Sequence, residues 1–199
     1  MENTAMNMPV LALRGLTIFP NCLLTFDVER EISIRALERA MESDQQIFLV
    51  AQREINVPLP GEKDLYSMGT ISVIRQILRI SENAVRVMME GRSRARLRRL
   101  WQTEPFLQAN VEAVPEESAS EAMRKSPRTE ALLRQTYTLF GEYAEQASGV
   151  PEEVVTTVMD SRDPGFLADY IAQNISLRYT DKQEILEELS PFARLRKLN

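Results

Sequence analysis

Residues 71–89, ISVIRQILRISENAVRVMM, carry the reading that decides the fold. Ile71, Val73, Arg75, Ile77 and Arg79 alternate with Ser72, Ile74, Gln76, Leu78 and Ile80, the two-residue period of an extended strand. Both faces are largely apolar, which predicts a strand buried in a barrel wall. Ser81-Glu82-Asn83-Ala84 supplies a polar turn, and Val85, Val87 and Met89 return as the partner strand. Outward from this hairpin, the run Ile47-Phe48-Leu49-Val50 predicts a buried strand over residues 46–51. Residues 8–13 form a short apolar strand, residues 92–101 another, and residues 106–114 a last one after Glu104-Pro105. Pro20 and Asn21 predict a turn over residues 17–21, and Pro58, Pro60 and Gly61 predict a loop over residues 56–66. One helix interrupts the series at residues 30–42, with Ile34, Leu37 and Met41 on a shared face and Arg35, Glu38, Arg39 and Glu42 outside it. Many short strands with one inserted helix predict a small, curled β-domain over residues 1–115.

Past Pro115 the period becomes helical, so the fold class is α+β. Residues 116–127 are polar and flanked by Pro115 and Pro127, and they read as a linker. Residues 128–199 read as an all-helical bundle. Leu132, Leu133, Leu139, Phe140 and Tyr143 form one stripe, stopped by Gly149 and Pro151. Asp163-Pro164 is an N-cap and first-turn pair for a helix that turns Phe166, Leu167, Tyr170 and Ile171 inward. Thr180 and Gln183 have the spacing of a capping box ahead of Ile185, Leu186 and Leu189. Ser190-Pro191 starts a final helix in which Phe192, Leu195 and Leu198 run up to Asn199 without a stop signal, the pattern of a helix cut in mid-course.

Composition removes several chemistries. The chain has no histidine and one cysteine, Cys22, so His-based triads, HExxH sites, Cys-rich zinc sites and internal disulfides are all excluded. None of the seven glycines precedes a lysine, so no P-loop is present. The pairs Glu116-Glu117, Glu152-Glu153 and Glu187-Glu188 sit in polar stretches and read as solvated surface. A Ser-Lys dyad is formally open to Lys63, Lys125, Lys182 or Lys197, and nothing in the pattern selects one. The expectation is no catalytic residue, no cofactor and no metal. No run approaches the roughly 18 apolar residues of a spanning helix, and residues 1–8 lack the form of a signal peptide, which predicts a soluble, cytoplasmic chain without a membrane partner.

Several segments, in this order, resemble the amino-terminal region of the Lon proteases. Met8-Pro9-Val10-Leu11-Ala12-Leu13-Arg14 with Ile18-Phe19-Pro20 is similar to the family's P-V-L-P-L-R opening, with Ala12 in place of its second proline. Further matches are the helix start at Arg30, the run Phe48-Leu49-Val50-Ala51-Gln52, Asp64-Leu65-Tyr66, and Gly69-Thr70. Met89-Glu90-Gly91 with Arg94-Ala95-Arg96-Leu97 resembles its V-E-G and R-A-R-I segments. In the helical half, Asp163-Pro164, Leu167-Ala168-Asp169, Ile171-Ala172 and Asp181-Lys182-Gln183 correspond. The resemblance implies a PUA-like β-domain followed by a helical bundle. It also implies a module that engages unfolded, damaged or regulatory proteins for a hexameric parent. That parent's ATPase and Ser-Lys peptidase domains, using ATP and magnesium, would lie beyond residue 199.

Two residue sets are candidates for contact with partners. Ile18, Phe19, Leu23 and Leu24 bracket a proline turn, and Val57, Leu59, Leu65 and Tyr66 are the apolar members of the following loop. Buried, they close the barrel; exposed, they would suit unfolded polypeptide. Arg92, Arg94, Arg96 and Arg98 occupy every second position and would line one strand face, a candidate phosphate-tracking stripe. The net charge of −5 favours instead a solvated face paired with carboxylates, with Trp101 at its end in the core. A third reading gives the helical half a structural role in assembling a ring.

Overall fold

The computed structural model describes residues 5–117 and 120–199, which fall into two compact units, Met1–Pro115 and Glu116–Asn199. Residues 118 and 119 of the expected linker, and residues 1–4, lie outside the described residues.

The first unit contains β1 (Met6–Leu13), β2 (Leu23–Val28), α1 (Glu31–Met41), β3 (Gln46–Ala51), β4 (Met68–Ser81), β5 (Ala84–Gln102) and β6 (Gln108–Ala113). The strand order is β2-β5-β4-β3-β1-β6, and β6 also pairs with β5, so five strands close a barrel and β2 is appended outside the ring. β1 and β3 run parallel, Val10 beside Phe48 and Leu13 beside Ala51, and every other pairing is antiparallel. A parallel pair needs a long crossover, and the segment carrying α1 provides it. β1 and β3 are apolar on both faces because each face is buried. Val10, Ala12, Phe48 and Val50 pack with Leu97, Ala109 and Val111 in one core cluster. Leu11, Leu13, Ile47 and Leu49 pack with Ala36, Leu37 and Ala40 of α1 in a second.

Three local expectations change. α1 buries Ser33, Ala36, Leu37 and Ala40, whereas Met41 is exposed; the small residues let the helix lie close on the sheet. The hairpin strand is buried only in its first half: from Arg75 on, β4 leaves the barrel, and Leu78 and Ile80 are exposed. Residues 84–102 form one continuous strand rather than two, bent at irregular registers. β2 occupies residues 23–28, to which no element had been assigned.

The second unit comprises α2 (Glu121–Arg124), α3 (Pro127–Gln146), α4 (Glu152–Asp160), α5 (Pro164–Asn174), α6 (Tyr179–Glu187) and α7 (Pro191–Leu198). Leu133, Phe140, Val158, Leu167, Ile171 and Leu195 centre its core. Asp163 caps α5 as expected, its Oδ1 accepting from the N–H groups of Gly165 and Phe166, both at 2.9 Å. The capping box expected at Thr180 does not form. α6 begins at Tyr179, and its N-cap residue Arg178 pairs with Asp181 at 2.8 Å instead. α2 and the Ser126 cap of α3 lie within the stretch expected to be linker. Glu116, expected to be simply solvated, is tied at 3.1 Å to Arg194. In the last helix Ser190 makes no side-chain cap, and Asn199 Nδ2 donates to Thr136 Oγ1 at 2.9 Å.

Candidate polypeptide-binding surface

Where β4 and β5 leave the barrel, β2 joins them in a three-stranded ribbon with two unlike faces. On the inner face Leu24 and Phe26 of β2 pack beside Val87 and Met89, in the cluster under α1. The outer face is read from the register. Leu23 lies beside Glu90 and Glu90 beside Val73; Thr25 beside Met88 and Met88 beside Gln76; Asp27 beside Arg86 and Arg86 beside Leu78. Ile80, beyond Leu78, sits at the Arg79/Ser81 irregularity at the hairpin end of the same strand.

The charges on this face are satisfied among themselves. Arg86 grips Asp27 through two hydrogen bonds of 2.7 and 3.0 Å, and these hold the Asp27 carboxyl below its usual range. Glu90 is paired with Arg75 and, at 3.2 Å, with Arg92. Exposed pairs of this kind add little to stability. Their effect here is that each of these charged groups is already engaged with a partner beside the aliphatic side chains. Leu23 is 60% exposed and Leu78 and Ile80 are each 51% exposed, with Met88 half-buried between them.

The residues expected to bind polypeptide do not come together. Ile18 and Phe19 are fully buried, which corrects their candidacy: Thr70 Oγ1 donates to the Ile18 carbonyl at 2.7 Å, and the Phe19 carbonyl lies over Gly91. A Cβ on Gly91 would stand 2.1 Å from that oxygen, so the turn can close down only on a glycine. Leu65 is also buried, packed in the barrel interior. Tyr66 is half-buried, with the Arg53 guanidinium 4.7 Å from its ring centroid. Val57 is half-buried as well, its carbonyl accepting from Gln52 Nε2 at 3.0 Å. Leu59 is exposed, but it lines a separate cleft with Ile32, Arg35 and Pro105. Arg30 reaches that cleft too, and burial, then the charge of Arg14, pushes its pKa down to about 10. Of the eight, Leu23 alone is strongly exposed on the ribbon's outer face. Met88 and Leu78 complete that surface, with the exposed Ile80 at its hairpin end, and none of the three was singled out as a contact residue in the sequence.

The arginine stripe is corrected as well. Gly91 pairs with Ser72 and Ser93 with Ile71, so the strand is irregular at Arg92 and its alternation breaks there. Arg92 and Arg98 are exposed and paired with Glu90 and Glu112, whereas Arg94 is 1% exposed, inside the fold. The four guanidinium groups therefore do not form one solvent-facing row. Trp101, expected in the core, is 46% exposed, its indole N–H donating to Asn7 Oδ1 at 2.8 Å.

Residues 7–199 match the ATP-dependent protease La (LON) substrate-binding domain. The chain belongs to this family. The Lon protease of Brevibacillus choshinensis is 39% identical over 94% of the chain, and Lon protease 1 of Bacillus subtilis is 33% identical over 99%. The chain spans about a quarter of the length of these Lon relatives, 24% and 25% respectively. Among solved structures, the N-terminal domain of Mycobacterium avium complex Lon protease shares the fold at a TM-score of 0.77, with 23% identity, 97% of this chain and 96% of that chain covered. A Lon N-terminal domain protein from Xanthomonas campestris aligns at a TM-score of 0.67 and 13% identity, over 97% of this chain and 96% of that one. The α+β reading and the Lon resemblance are both borne out. Among the described residues, no helix is long and apolar enough to cross a membrane.

Proposed function

We propose that this chain captures unfolded, damaged or regulatory proteins for an ATP-dependent serine endopeptidase, using the outer face of the β2-β5-β4 ribbon. The parent would be a cytoplasmic hexamer in which ATP and magnesium serve an ATPase domain and a Ser-Lys peptidase domain cleaves the delivered chain. Membership in the Lon substrate-binding family supports the role. The observation that carries the surface is the grouping of Leu23, Met88 and Leu78 on one face whose carboxylates and guanidinium groups are already paired. Such a face offers apolar area without imposing a charge pattern, which suits partners alike only in exposing side chains that folding would hide.

The test is the affinity of the 199-residue chain for reduced, carboxymethylated lactalbumin, which stays unfolded in native buffer, against the native disulfide-bonded form. The unfolded form is expected to bind at least tenfold more tightly. That preference should persist at high salt, because apolar contacts survive ionic strength that weakens phosphate or ion-pair binding. Equal affinity for the two forms contradicts the role.

A further inference from the structure

The ribbon's backbone offers a recognition element of its own. Among the described residues, β2 pairs with β5 on one side only, and it is the one strand outside the closed ring of five. The N–H of Gly91 donates to the Cys22 carbonyl at 2.9 Å, next to the Leu23–Glu90 pair, and this sets the phase of the ladder. In an antiparallel pair the bonding residues alternate, so Leu24 and Phe26 bond to β5 while the N–H and C=O groups of Leu23, Thr25 and Asp27 point away from it. Among the described residues, no hydrogen bond reaches these outward backbone groups.

A second open edge shows what protection looks like. Among the described residues, β4 has no strand on its far side beyond Ile74, and that stretch carries Arg79 and register breaks at Ile74/Gln76 and Arg79/Ser81. Charges and bulges of this kind keep other strands from adding. β2 has neither: its register with β5 runs unbroken from Leu23 to Val28, it holds no proline, lysine or arginine, and its one charge, Asp27, is tied to Arg86. Its edge is regular in register, six residues long, and its one charged side chain is already paired.

We propose that an extended segment of unfolded polypeptide adds to the free edge of β2 as a further antiparallel or parallel strand. This rests on the outer-face reading above and gives it a binding mode. Main-chain bonds to Leu23, Thr25 and Asp27 would hold any sequence, and every second side chain of the added strand would extend the apolar face beside Leu23. An unfolded chain meets the requirement because its own backbone groups are unpaired; a folded protein has already used them.

Amide hydrogen exchange on the 199-residue chain, followed by NMR with saturating carboxymethylated lactalbumin, tests this. The expected result is that the Leu23, Thr25 and Asp27 amides exchange at least tenfold more slowly with the unfolded protein bound. Unchanged exchange at these amides under saturation overturns strand addition while leaving the apolar-face reading intact. Absence of binding overturns both. Slow exchange before the probe is added, rising with protein concentration, would assign the edge to a second copy of this chain and overturn the proposal. Thr25→Pro provides an independent arm. It removes an outward donor without touching the β5 ladder, as protection at Val87 and Met89 would confirm, and it is expected to weaken the unfolded probe at least tenfold. Wild-type affinity in a folded Thr25→Pro chain overturns the proposal.

Discussion

Replacing Arg194 with Met is expected to destabilise the helical unit by about 3–5 kcal/mol, the loss typical of a buried ion pair stripped of one partner. The Arg194 side chain is fully buried, and its Nε lies 2.9 Å from Oδ1 of Asp169, whose side chain is only 4% exposed. The same guanidinium donates to the Glu188 carbonyl at 3.0 Å and contacts Glu116 at 3.1 Å. It thereby fastens α5, the end of α6 and the start of the unit to α7. Space for it depends on Gly165, where an added Cβ would stand 2.9 Å from Arg194 Nη2. Without the arginine, the buried Asp169 carboxylate loses the cation that lies 2.9 Å from it. The double substitution Arg194→Met with Asp169→Leu should recover most of the loss, since neither charge is then left unpaired. Urea unfolding read by amide exchange in α5 and α7 measures both. A loss below about 1 kcal/mol for the single variant, the range of an exposed pair, would show that this cluster does not hold the unit together.

Phe19→Ala should cost the barrel unit about 3–5 kcal/mol, whereas Leu23→Ala, four residues on, should change stability by no more than about 0.5 kcal/mol. Phe19 is 0% exposed and Leu23 60%, so the first substitution opens a cavity and the second removes a side chain that mostly meets solvent. Denaturation followed by the fluorescence of Trp101, the chain's one tryptophan, reads this unit directly. Comparable losses at the two positions would contradict the division of this segment into a buried turn and an exposed strand start.

That division shows where the sequence was legible and where it was not. The strands with strong alternation or dense apolar runs, β1, β3 and the β4–β5 hairpin, were readable because burial on one or both faces leaves its period in the residue types. The helix caps at Ser126 and Asp163 are set by local hydrogen bonds, and the Asp163 signal was read correctly. β2 was not read: Leu24-Thr25-Phe26-Asp27-Val28 does alternate apolar with polar, but the alternation is short, and Leu23 puts an apolar side chain on the outward face. α4, Glu152–Asp160, was likewise not placed. The outer face escaped for a related reason. Leu78 and Ile80 have the composition of core residues, and only the departure of the ribbon from the barrel makes them surface. A pattern reports which side chains are apolar; it does not report how far the barrel extends beneath them. The arginine row failed through two irregularities, at Arg92 and at Arg98, since a single extra residue moves the side chains beyond it to the other face.

The measurement that bears most directly on the recognition surface is the affinity of a Leu23→Ser/Leu78→Ser double variant for carboxymethylated lactalbumin. Leu59→Ser, at the separate cleft, serves as the comparison. Both leucines of the double variant are more than half exposed, so its urea midpoint should match that of the wild-type chain. Its dissociation constant should rise at least tenfold, which corresponds to about 1.4 kcal/mol. Leu59→Ser should change binding less than twofold. Undiminished binding by the double variant, together with a marked loss in Leu59→Ser, would contradict the account and place recognition at the cleft beside α1.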